Sequence, residues 1–117
     1  LTATGGAYST TFHPRAGHFR QYRYVPDGSV PLDTGADLDV AGAQSGFVYV
    51  NQDNIGTSAF QKLPRYATAD ETGTASLYAT ADATAFVEDV MAVAEPITVT
   101  IAAGGDAKKG VLYIWID

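Results

Sequence analysis

The run Val111-Leu112-Tyr113-Ile114-Trp115-Ile116 near the end of the chain constrains its fold more than any other segment. Its β-branched and aromatic side chains favour an extended strand. Alternate residues of a strand point to opposite faces, so Val111, Tyr113 and Trp115 share one face and Leu112, Ile114 and Ile116 the other. Both faces are apolar. A strand of this kind is either central in a sandwich or pressed against another subunit, because an exposed one invites aggregation. The preceding Ile97 to Ala102 has the same character. Gly104-Gly105-Asp106 and Gly110 lie between the two, and the whole reads as a hairpin.

The rest of the chain fits a β protein. Leu1 to Phe12 is rich in Thr, Gly and Ala and contains Gly5-Gly6; it reads as an edge strand or, preferably, as an arm lying on a neighbour. His18 to Val25 alternates so that Phe19, Gln21, Arg23 and Val25 point one way and His18, Arg20, Tyr22 and Tyr24 the other. Pro26-Asp27-Gly28 is a turn, prolonged as irregular chain through Pro31 and Asp33-Thr34-Gly35. Ser45 to Asn51 carries a short strand through Phe47-Val48-Tyr49-Val50. Phe60 to Ala67 is extended but broken by Pro64, which points to an edge. Between Ala79 and Ala94, Phe86, Val87, Val90, Met91 and Ala94 fall at helical spacing while Thr and Val favour extension, which allows a short helix. The expectation is a single domain over 1–117, mainly β: a β-sandwich or small β-barrel of about six to eight antiparallel strands, with an extended N-terminal arm and at most one short helix.

Composition narrows the function. Seven Lys and Arg against 13 Asp and Glu give a net charge of −6, the wrong sign for displacing the counterions of a nucleic acid. The charges are segregated, Arg15, Arg20 and Arg23 preceding the first acid and Asp27, Asp33, Asp37 and Asp39 following; this reads first as two solvated faces in sequence order, and second as a pattern that an isologous or head-to-tail contact could use. Without cysteine there is neither a disulfide framework nor a thiolate metal site. No apolar run reaches the length of a membrane span and no signal-peptide pattern is present, so the chain reads as soluble and off the membrane. It begins with Leu1 in place of methionine, as a processed or partly represented start would.

Catalytic constellations are incomplete. Leu32-Asp33-Thr34-Gly35-Ala36-Asp37 resembles the active-site loop of retroviral-type aspartic proteases, a likeness that implies Asp33 as the acid of a proton-sharing pair. The chain departs from that family: Gly104-Gly105-Asp106 stands where an apolar-Gly-Arg segment opens a helix, and Pro31 interrupts the apolar lead. Asp27, Asp33, Asp37 and Asp39 offer hard oxygen ligands for calcium, but without the ladder spacing of a helix-loop-helix site. They read as a solvated acidic turn. His13 and His18 have no third ligand at useful spacing, and none of Ser9, Ser29, Ser45, Ser58 and Ser76 stands between the glycines of a nucleophile elbow. No phosphate-cradling loop is present. The expectation is no enzyme, no cofactor, no catalytic residue and no resident metal. Tyrosines and Trp115 could instead form a carbohydrate platform, as in a tail or fibre receptor-binding module.

Arg23-Tyr24-Val25-Pro26-Asp27-Gly28, the stretch from Asp33 to Val40, and the ending from Ile97-Thr98-Val99 through Gly104-Gly105-Asp106 to Tyr113-Ile114-Trp115 together resemble small virion proteins of tailed bacteriophages, the capsid decoration or cement type. The resemblance implies a β-sandwich or β-barrel head, assembled as a trimer or dimer on the outer capsid surface, that locks copies of the major capsid protein together. It carries over no catalytic residue. Tyr and Arg on both faces of His18 to Val25 are the residue types enriched at protein interfaces. Arg15, Phe19, Arg20, Tyr22, Arg23, Tyr24 and Trp115 are therefore the expected contact residues, together with the N-terminal arm.

Overall fold

In the computed structural model, residues 1–67 and 88–117 are described, and every regular element among them is a strand. Eleven run in chain order: β1 (Thr2–Ala3), β2 (Tyr8–Phe12), β3 (Gly17–Pro26), β4 (Asp37–Gly42), β5 (Val48–Gln52), β6 (Phe60–Lys62), β7 (Tyr66–Ala67), β8 (Glu88–Asp89), β9 (Met91–Val93), β10 (Ile97–Ala102) and β11 (Lys108–Ile116). One sheet has the order β1-β11-β3-β6, with β9 pairing the start of β3; the other has the order β2-β10-β4-β5. The pairing within both is antiparallel, and β7 and β8 form a small ladder of their own. The chain is a β-sandwich.

Period-two alternation builds the core between the sheets. β10 points Ile97, Val99 and Ile101 inward and Thr98 and Thr100 outward; β4 points Leu38 and Val40 inward and Asp37 and Asp39 outward. From the other sheet come Phe19, Tyr22 and Tyr24 of β3 with Met91 and Val93 of β9, all in one buried cluster. Leu32, Ala36 and Ile55 close its end from the loops. The Phe19 ring lies nearly parallel to that of Tyr49, 5.5 Å away across the sheets, and edge-on to Tyr22. Tyr22, Tyr24 and Tyr49 all have phenols pushed above their ordinary range by burial.

Three expectations need correction. Phe19 does not share a face with Gln21, Arg23 and Val25. Opposite β11, Trp115 pairs with Gln21 but Ile116 pairs with Phe19, so Arg20 is an extra residue that shifts the phase of β3. Such a bulge turns every later side chain over. Phe19 before it and Tyr22 and Tyr24 after it consequently all point into the core.

The second concerns Ile97 to Ile116. β10 and β11 lie in different sheets, and the intervening chain crosses between the layers through positive φ angles at Ala103, Gly105 and Ala107. β10 is central in its own sheet, hydrogen-bonded on both edges by β2 and β4, and has no edge left for β11. The third concerns the N-terminus. Leu1 to Phe12 is no free arm but a strand in each layer, β1 beside the start of β11 and β2 beside β10. Gly5 and Gly6, both at positive φ, make the tight crossing between them. Asp37 and Asp39, which read as part of an acidic turn, stand on β4. Of the stretch from Ala79 to Ala94, residues 79–87 lie outside those described, and 88–89 and 91–93 are extended.

Candidate docking face

β11 sets the candidate face. Its residues Leu112, Ile114 and Ile116 pack partly buried against the core cluster, which forces Val111, Tyr113 and Trp115 to the opposite, outer face of the sheet. These three are 48%, 50% and 42% exposed, too much for a completed core. The Tyr113 and Trp115 rings lie 6.1 Å apart and 29° from parallel, forming one flat apolar surface. Beside them on β3, Val25 pairs with Val111, Arg23 with Tyr113 and Gln21 with Trp115. Arg23, Val25, Tyr113 and Trp115 line a shallow depression of about 340 Å³.

The polar margin of this face is ordered. Gln61 on β6 pairs with Arg23, and its Nε2 donates to Gln21 Oε1 at 3.1 Å. Arg23 is exposed and makes no ion pair among the described residues. A guanidinium beside two aromatic rings is a surface suited to protein recognition, because Tyr and Trp give large contact area with few rotors to freeze and Arg supplies several hydrogen-bond donors.

The expected contact residues divide. Trp115 and Arg23 stand on this face. Arg20, at the bulge, is exposed but engaged: its Nε pairs with Asp117 Oδ1 at 2.5 Å, and Arg65 Nη1 donates to its carbonyl. Arg15 is exposed in the loop between β2 and β3. Phe19, Tyr22 and Tyr24 are corrected from contact residues to core residues, at 0–2% exposure. Val111 and Tyr113 were not among the expected contacts, although the alternation of β11 already placed them with Trp115.

Of the four aspartates, Asp27 and Asp37 brace loop backbone. Asp27 Oδ1 accepts from Ser29 N at 2.8 Å and Val30 N at 2.9 Å, which holds its carboxyl below the usual carboxylate range. Asp37 Oδ1 accepts from Asn54 N, and Asp39 lies outward on β4. Asp33 is exposed, with its backbone N donating to Gly104 O at 3.1 Å. Among the described residues no three His, Cys, Asp or Glu gather as a metal site. Far from these, Glu95 accepts from Ser45 N and Oγ, which likewise lowers its pKa and pins the turn before β5. A scan against family models finds no match to the chain, and comparison with the curated proteins and with the solved structures finds none either.

Proposed function

We propose that this chain is a non-enzymatic structural subunit of a tailed-phage virion, of the decoration or cement type, which assembles as a homo-oligomer on the outer capsid surface and binds the major capsid protein. The observation that supports the reading is the exposed row Val111-Tyr113-Trp115 beside Arg23, which is unpaired among the described residues, on a sheet whose other face packs against the core cluster. Contiguous exposed apolar patches rimmed by polar residues mark protein–protein contact sites. A repeated lattice lets modest contacts of one such face add up. In the test, purified chain is pelleted with capsid shells that lack it. The wild type should bind saturably at a fixed ratio to the major capsid protein, and Tyr113→Ser with Trp115→Ser should weaken binding at least about tenfold at unchanged melting temperature. Equal occupancy by the double variant would overturn the reading.

One observation favours a second reading. Near-parallel aromatic rings are also a stacking platform for a sugar, as a tail or fibre receptor-binding module would use. A glycan that binds the wild type and not Trp115→Ala would decide for it. The retroviral-type protease reading of Asp33 has no comparable support, since the residue stands exposed on a turn.

A further inference from the structure

Arg23 stands in a neutral setting. Its partners across the strands are Tyr113 on β11 and Gln61 on β6, and period two puts Gln21 and Val25 on its own face of β3. Val111 and Trp115 lie diagonally, flanking Tyr113. None of these six carries a charge. The nearby acids already have partners: Asp27 accepts from Ser29 N and Val30 N beside Lys109, and Asp117 pairs with Arg20. In a chain of net charge −6, the middle of this face therefore carries a cation that no carboxylate among the described residues answers.

Donors dominate the polar groups around Arg23. Gln61 Nε2 donates to Gln21 Oε1 at 3.1 Å, which leaves the Gln21 amide its N–H groups. The Trp115 indole donates only, and a guanidinium carries five N–H groups and accepts nothing. Among the described residues none of these donors has a hydrogen-bond partner. A donor-rich patch around a cation fits an anionic acceptor, and the planar guanidinium matches the two oxygens of a carboxylate. The depression of about 340 Å³ between Arg23, Val25, Tyr113 and Trp115 gives such a group apolar walls, against which its attraction to Arg23 is stronger than in open water.

We infer that the occupant of this face is an acidic extended segment of the partner protein, with one Asp or Glu carboxylate seated on Arg23 and apolar side chains beside it on Tyr113 and Val111. Val111 to Trp115 spans about 13 Å, the length of five extended residues, whose alternate side chains all reach the sheet. Val25 and Val111 favour a peptide over a sugar, since they prolong the rings into an apolar row that offers hydroxyls no hydrogen bond. It rests on the docking proposed for this face and names the chemistry of what docks.

The test uses the full chain and capsid shells that lack it. Wild-type binding should weaken as salt rises, and Arg23→Gln should lower affinity at least about tenfold and flatten that salt dependence at unchanged melting temperature. Arg23→Lys keeps the charge without the paired hydrogen bonds and should bind between the two. On the shells, a water-soluble carbodiimide should then join the ε-amine at position 23 to the facing carboxylate as an amide, itself taking up the water. Peptide mapping should place that link on an Asp or Glu of the capsid protein. Arg23→Gln binding as tightly as wild type, while Tyr113→Ser with Trp115→Ser does not, would overturn the acidic occupant and leave the docking reading standing. A pelleted Arg23→Lys chain with no link from position 23 would do the same. Shells that bind no wild-type chain would overturn both. Hyaluronan, a carboxylated polysaccharide, probes the sugar alternative: saturable binding that Arg23→Gln abolishes would assign the carboxylate to a glycan and overturn the protein occupant.

Discussion

Phe19→Ala should lower the unfolding free energy by about 3 to 5 kcal/mol, the range measured for deleting a buried aromatic ring. Phe19 has no exposed surface, stacks on Tyr49 at 5.5 Å and meets Tyr22 edge-on at 6.4 Å. On its own strand level it lies between Ile116 of β11 and Met91 of β9. Removal of the ring leaves a cavity between the two sheets, where β3, β9 and β11 meet. For a domain with about 5 to 15 kcal/mol in all, a large share of its stability is at stake. Urea unfolding followed by the single Trp115 measures the loss. A cost under about 1 kcal/mol would mean that Phe19 is not in the core.

Gly110→Ala should cost about 1 to 3 kcal/mol through overpacking. A Cβ at this position would stand 2.5 Å from Tyr24 Cε2 and 2.9 Å from its hydroxyl. Tyr24 is fully buried and its ring has no room to withdraw. The backbone of Gly110 cannot retreat either, since Leu1 grips it from the other side. The glycine is thus required by contact and not by its dihedrals. Thermal unfolding should show a fall of several degrees. Gly28→Ala is the control, because nothing lies within 4 Å of a Cβ there. Equal melting temperatures for the two variants would contradict the packing of Tyr24 over β11.

What could be read from the sequence was local. The β class, a strand through Val48-Tyr49-Val50, the turn after Val25 and the two faces of β11 all follow from side-chain type and period two, which neighbouring residues determine. The errors came from relations between distant segments. Alternation alone puts Phe19 and Tyr22 on opposite faces, because the Arg20 bulge exists only in the register of β3 against β11, some 95 residues away in the chain. The assumed hairpin failed for the same kind of reason: β10 takes its partners from the beginning and middle of the chain. β4 carried a legible signal in Asp37-Leu38-Asp39-Val40, an alternation that the turn-forming preference of aspartate masked. Of the candidate face, Trp115 and Arg23 were identifiable, whereas Tyr22 and Tyr24 show that interface-type residues on a strand say little until its phase is known.

The proposed function turns on a division within the sheet: the inner face of β3 and β11 packs against the core cluster, while the outer face around Trp115 stays exposed. The emission of Trp115, the only tryptophan, measures it most directly. In dilute solution its spectrum should be that of a partly hydrated indole open to acrylamide; with capsid shells lacking the subunit it should shift to shorter wavelength and become shielded, saturating at a fixed ratio to the major capsid protein. Saturable binding with an unchanged spectrum and undiminished quenching would contradict the account.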